Sequence, residues 1–117
     1  MATGTIKTNA LQLLSKTYTQ NTYVAQSDFN TIQAFADDNM VIINLNFDVS
    51  TSPGTTFRTI GSISLPRDLA FNATTILASQ NNASNLLVQV AKGGAITIYS
   101  TSSATGYYRG CLVVPLS

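Results

Sequence analysis

The residues with the most chemistry to offer lie late in this 117-residue sequence, in the run Gly106-Tyr107-Tyr108-Arg109-Gly110. A tyrosine ring offers an apolar face to the C–H side of a sugar and a hydroxyl at its edge, while arginine adds forked donors for hydroxyls or phosphates. Neighbouring side chains of an extended strand point to opposite faces, so at most one of the two tyrosines meets a ligand while the other packs. A second group, Asn81, Asn82 and Asn85, lies in a polar run that reads as an exposed loop. Primary amides match the mixed donor and acceptor pattern of carbohydrates. Tyr107, Tyr108, Arg109, Asn81, Asn82 and Asn85 are therefore the expected ligand contacts.

Other arrangements point away from catalysis. The chain has no His, so it lacks an imidazole general base, a Ser-His-Asp or Cys-His relay, and an imidazole zinc ligand. Asp37-Asp38 is the one adjacent carboxylate pair, but neighbouring side chains diverge, and with Asn39 following the pair reads as a turn. No Asp-x-Asp-x-Asp-Gly series suggests calcium. Lys92-Gly93-Gly94 has too few glycines, and the wrong element after it, for a phosphate loop; between two alternating runs it reads as a hairpin turn. Cys111 reads as a small buried hydrophobe. The expectation is a protein without catalytic residues, metal or cofactor.

Composition narrows the partner. Apolar residues make up 44% and charged residues only 9%, with a formal net charge of +1 and no Glu. Ser, Thr, Asn and Gln fill 44 positions, so neutral hydrogen-bonding groups must keep the surface wet. Six dispersed cations cannot form the basic stripe that neutralises a run of phosphates, so no nucleic-acid partner is expected. No run approaches the roughly 20 apolar residues of a membrane span, and the N-terminal Met-Ala-Thr-Gly-Thr lacks the basic region of a leader. The expectation is one unprocessed domain with no membrane insertion.

The elements that must position these residues are mostly strands. Met40–Val49 alternates, with Ile43, Leu45, Phe47 and Val49 on one side and Asn44, Asn46 and Asp48 on the other. Ser50 to Gly54 punctuates it, Phe57–Leu65 resumes an extended pattern, and Pro66 ends that. Phe71–Ser79, Leu86–Ala91, Ala95–Ser100 and Tyr107–Leu116 complete the strand set. In the last of these Leu112-Val113-Val114 does not alternate, which implies cover on both faces, the second supplied by another subunit. Before residue 39 the pattern is weaker. Ile6, Ala10, Leu13 and Leu14 fall at helical spacing with Asn9 as a cap, predicting a short helix around Ala10–Ser15. Lys16–Val24 looks extended. In Ser27–Ala36, Phe29, Ile32 and Ala36 suit a helix face with Ser27 as cap, while Ile32 and Ala34 alternating with polar neighbours suit a strand; of the two a strand is expected near 30–36.

Taken together, Val41-Ile-Ile-Asn-Leu-Asn-Phe47, Thr56-Phe-Arg-Thr-Ile-Gly-Ser-Ile-Ser-Leu-Pro66, Asn72-Ala-Thr-Thr-Ile-Leu-Ala78, Lys92-Gly-Gly-Ala-Ile-Thr-Ile-Tyr99 and Tyr108-Arg-Gly-Cys-Leu-Val-Val114 resemble the C-terminal head domain of bacteriophage tail-fibre and receptor-binding proteins. Such heads commonly follow Gly-x-Ile/Leu-Pro with Arg-Pro. Here Arg67 is kept and Asp68 stands where the second Pro would be, a change of turn geometry more than of fold. A Trp often found near the start of that strand is represented at most by Phe57. The resemblance covers about two-thirds of the chain. It implies an all-β, antiparallel β-sandwich head, jelly-roll-like and homotrimeric, at residues 39–117, with 1–38 as a linker or attachment segment, a short helix or strand joining the head to its stem. It further implies a virion protein of the tail-fibre or baseplate tip that attaches to host cell-surface polysaccharide without catalysis and touches a neighbouring tail or baseplate protein. It carries no binding residue over. A structural trimerisation or accessory role is the alternative.

Overall fold

The computed structural model describes residues 11–18, 23–24, 29–79, 84–100 and 103–117. Their regular structure is entirely β: β1 (Gln12–Leu13), β2 (Lys16–Tyr18), β3 (Thr31–Ala36), β4 (Met40–Val49), β5 (Arg58–Ile63), β6 (Ala73–Ser79), β7 (Asn85–Val90), β8 (Ala95–Tyr99) and β9 (Gly106–Pro115). They form one antiparallel sheet in the order β1-β3-β4-β9-β6-β7-β8-β5-β2, curled into a half-barrel.

The curl is visible in the connectivity. β1 and β2 lie at opposite ends of the sheet order, yet only Leu14 and Ser15 separate them in the chain. The Leu14 amide donates to the Ala34 carbonyl at 2.8 Å, and the Ser64 amide donates to the Ser15 carbonyl at 2.8 Å. One short extended segment thus joins the β3 edge to the β5 edge, and both edges gain ladder partners that would otherwise be open. This overturns the helix expected around Ala10–Ser15: Gln12–Leu13 is strand, and Ala10 lies outside the described residues. The apolar spacing there does not mark a buried helical face, because Leu13 is 65% exposed. Backbone pairing with two distant strands outweighs a local periodicity of a single turn.

The other strands follow their sequence patterns. In β4 Ile43, Leu45, Phe47 and Val49 are buried, as the alternation requires. β3 forms where a strand is expected and buries Ile32, Ala34 and Ala36. The boundary expected after residue 38 falls inside the turn of the β3–β4 hairpin, so β1 to β3 belong to the same sheet as the rest. The inner face of the curl collects Phe47, Tyr108, Leu45, Ile43, Leu77, Leu86, Ile96, Ile98 and Ile60 into one core. Ile60 reaches it through a bulge, since β5 shifts register against β8 between Thr59 and Gly61. Lys92 to Gly94 makes the β7–β8 connection, with Gly94 alone of the three at positive φ (102°).

In β9, Tyr108, Leu112 and Val114 face the core, while Tyr107, Arg109, Cys111 and Val113 face outward. The strand therefore does alternate. Its apolar triplet reads as continuous because Val113 belongs to an apolar row on the outer face, where it stands opposite Ile42, which is paired with Phe35, which is paired with Leu13. The same alternation corrects the expectation for Cys111, which is exposed rather than buried.

Asp37 closes the β3–β4 hairpin, as a turn reading of Asp37-Asp38 requires. Its carboxylate accepts the Asn39 amide at 2.8 Å and the Met40 amide at 3.0 Å. Those bonds, the one from Asn39 foremost, hold its pKa below the ordinary 3.8. A carboxyl depressed in the folded state stabilises fully above its unfolded value, and that contribution fades as pH falls through the lowered folded value. Acid unfolding followed by circular dichroism checks it: the wild type should lose stability relative to Asp37→Asn below about pH 4, with their difference constant above that.

Candidate functional site

The pairing register gathers polar residues on the outer face of β3, β4 and β9. Row by row along these strands, Met40 stands opposite Pro115, and the Leu13, Phe35, Ile42, Val113 row follows. Next come Gln33, Asn44 and Cys111, then Thr31, Asn46 and Arg109, and last Asp48 with Tyr107. The face thus passes from apolar to amide-rich to aromatic and charged within one sheet.

At the polar end lies a groove of about 540 Å³ lined by Phe29, Asn44, Asn46, Arg109, Gly110 and Cys111. Its aromatic wall is Phe29, whose ring meets Tyr107 edge-on at 4.8 Å between centroids and 67° between planes. The Arg109 guanidinium lies 5.5 Å from the centre of the same Phe29 ring, within cation–π range. Phe29 is held there by its neighbour: the Asn30 side-chain oxygen accepts the Asp48 amide at 2.8 Å, where β3 no longer pairs with β4. Gly110 lines the groove through its backbone, and its missing side chain belongs to the core face of β9, beside β6. A Cβ on Gly110 would sit 2.4 Å from a Leu77 methyl in the core.

The Arg109 row continues beyond β9. Ala78 of β6 pairs with Arg109 on one side and with Asn85 of β7 on the other. Thr31, Asn46, Arg109, Ala78 and Asn85 therefore form one row across five strands, all pointing outward. At ~4.8 Å per strand step the row is about 19 Å long.

Of the six expected ligand contacts, Tyr107, Arg109 and Asn85 come together on this face. Tyr108 does not. Its side chain is fully buried, and its hydroxyl bonds to the Ser84 hydroxyl and to the Thr105 carbonyl at 3.3 Å. It is the member of the tyrosine pair that packs, and it is withdrawn as a contact. Asn81 and Asn82 lie outside the described residues. Phe29, Asn44 and Asn46 are lining residues that the sequence reading did not name as contacts. The β4 alternation already turned both asparagines outward, but no local signal says which strand lies beside them.

The side chains present suit recognition. The amides of Asn44 and Asn46 supply both donors and acceptors, the rings of Phe29 and Tyr107 supply apolar surface, and Arg109 supplies the charge. Among the described residues no group of three or more Cys, Asp or Glu is placed to hold a metal ion. No protein-family model matches the chain, and no curated protein and no solved structure is similar to it.

Proposed function

We propose that this protein is a non-catalytic attachment module that holds a host cell-surface saccharide in the outer groove of β4 and β9, as the tip of a phage tail fibre or baseplate. The observation that carries the reading is the groove itself, where Phe29, Asn44, Asn46 and Arg109 line one open surface with Tyr107 against Phe29. Few charges, many neutral hydrogen-bonding groups and no His support holding over reacting. In this reading the curled sheet is a jelly-roll-like sandwich head that assembles as a homotrimer. The row Leu13, Phe35, Ile42 and Val113 supports that assembly, since Leu13 and Val113 are 65% and 60% exposed beside half-buried Phe35 and Ile42. Three copies on one fibre, multiplied over a virion, would offset weak affinity at each site.

The same apolar row favours a second reading, in which it seats a neighbouring tail or baseplate protein and the role is structural. One experiment separates them. Purified protein is incubated with host cells before and after their surface polysaccharide is stripped, and its solution mass is measured. The attachment reading expects trimer mass and binding that falls at least tenfold on stripping and in a Tyr107→Ala, Arg109→Ala double variant that still melts cooperatively. Unchanged binding on stripped cells overturns it, and a monomer overturns the trimeric head.

A further inference from the structure

Leu11 to Tyr18 straps the seam between β3 and β5 with little to anchor it. Gln12 and Leu13 pair with Ala36 and Phe35 of β3, and Lys16, Thr17 and Tyr18 pair with Ile63, Ser62 and Gly61 of β5. From Leu11 to Thr17 only Leu14 packs against the core, and only in part. The buried core of the described residues is drawn wholly from Val24 onward. Backbone bonds therefore hold the strap with little side-chain burial behind them, the condition under which a segment opens ahead of the rest of a fold.

The strap is also a bounded unit. Val24 bridges to Val49, and the Ser50 amide donates to the Tyr23 carbonyl at 2.8 Å, so the chain is fastened to the body again at Tyr23. From Tyr18 to Tyr23 an extended chain reaches about 17 Å, enough for a neighbouring copy in direct contact and too short for a distant one. Lifting the strap uncovers the β3 and β5 edges together, and open edges are templates for another strand. The strand that fits both, with Leu14 seated between them, is the same segment of a second copy. The outward side chains favour that occupant. Leu11 and Leu13 are 49% and 65% exposed with the strap in its own seam, and Leu13 begins the apolar row that runs through Phe35 and Ile42 to Val113. A strap crossing between copies brings this row to the junction, where it leaves water.

We propose that Leu11 to Tyr18 is exchanged between copies of this chain, each strap filling the β3–β5 seam of a neighbour. The exchanged strap makes the same backbone bonds as the closed chain and adds the buried row. Passed on in one direction, it closes a ring, as a trimeric head requires. The exchange stands apart from whatever the groove on β4 and β9 binds.

Engineered cysteines read the exchange. Thr17 and Ser62 are opposed and neither is buried; opposed antiparallel residues lie ~4.5–5.5 Å apart between Cα atoms, within disulfide range. In a Cys111→Ser background, chains bearing Thr17→Cys are mixed with chains bearing Ser62→Cys at a concentration where the protein assembles, and then oxidised. Most chains should become cross-linked between the two positions, and few when Gln89→Cys, on β7, takes the place of Ser62→Cys. The Thr17→Cys, Ser62→Cys double variant oxidised while dilute locks each strap in its own seam. It should assemble at least tenfold more weakly than wild type and recover on reduction. Leu14→Ala should speed cross-linking several-fold. The Leu14 and Ser64 amides, which bond across the seam, should exchange hydrogen about a hundredfold faster than those of the β4–β9 ladder. Cross-linking no greater than in the Gln89→Cys mixture, or locked chains that assemble as wild type does, overturns the exchange. Oxidised at assembly concentration, the double variant links whole assemblies. Linked trimers support the ring, and linked dimers support a reciprocal exchange and overturn the trimeric head.

Discussion

Tyr108→Ala is expected to lower the unfolding free energy by about 3–5 kcal/mol, the range for removing a large aromatic from a well-packed core, while Tyr107→Ala lowers it by about 1 kcal/mol. The two residues are adjacent and identical in type, so the contrast isolates the face each one occupies. Tyr108 is fully buried, stands opposite Phe47 in the β4–β9 ladder and opposite Ser79 in the short β6–β9 ladder, and ties Ser84 and Thr105 through its hydroxyl. Its loss opens a cavity where β4, β9 and β6 meet, and a domain of this size holds roughly 5–15 kcal/mol in total. Tyr108→Phe separates ring from hydroxyl. It should cost about 1 kcal/mol, the usual net worth of a hydrogen bond. Tyr107 is 38% exposed and its ring rests edge-on against Phe29. Removing it loses one aromatic pair and frees the Phe29 wall of the groove. Urea unfolding should therefore show a large shift of midpoint for Tyr108→Ala and a small one for Tyr107→Ala, while the attachment reading we propose expects saccharide binding per folded molecule to fall for Tyr107→Ala and to hold for Tyr108→Phe. Equal shifts for the two alanine variants would refute the assignment of faces.

This pair also marks the limit of what the sequence makes legible. Strand alternation is a local property with period 2, so the buried set of β4 and the outward asparagines could be read from Met40–Val49 directly. That Tyr107 and Tyr108 must diverge follows from the same period. The phase, which of the two faces inward, is set by Phe47 and Ser79 across the ladders, and those partners are 61 and 29 residues away in sequence. Phe29 was invisible as a groove wall for a similar reason, because its position depends on the Asn30 bond to the Asp48 amide. In the N-terminal part, a helical spacing of four apolar residues competed with strand pairing to β3 and β5, and the long-range pairing prevailed. Val113 was legible as apolar but not as outward. Only the row Leu13, Phe35, Ile42, Val113 shows that its neighbours on the face are apolar too.

Gly94→Ala should be at least as damaging as any core truncation, at about 3–5 kcal/mol, although the residue carries no side chain to lose. Gly94 sits at φ 102°, which alone costs an L-residue about 1–2 kcal/mol. A Cβ there would lie 2.2 Å from the Ile63 carbonyl oxygen and 3.3 Å from its carbon, both backbone atoms that no rotamer change can move aside. Relief requires β5 to part from the β7–β8 turn. That movement breaks the bond from the Ile63 amide to the Gly94 carbonyl, 2.9 Å, and strains the one from the Gly94 amide to the Ala91 carbonyl, 2.8 Å. Gly93 provides the internal control: a Cβ there meets nothing within 4 Å and its φ is not positive. Gly93→Ala should stay within about 0.5 kcal/mol of wild type, or gain slightly from a stiffer unfolded chain. Because the turn joins β7 to β8 and the groove lies on β4 and β9, the attachment reading we propose expects the folded fraction of Gly94→Ala to bind saccharide with wild-type affinity. Thermal melts of both variants, with binding measured well below the midpoint, check the pair. A Gly94→Ala melting point within a degree or two of wild type would show that β5 and the turn are not locked together as their backbones indicate.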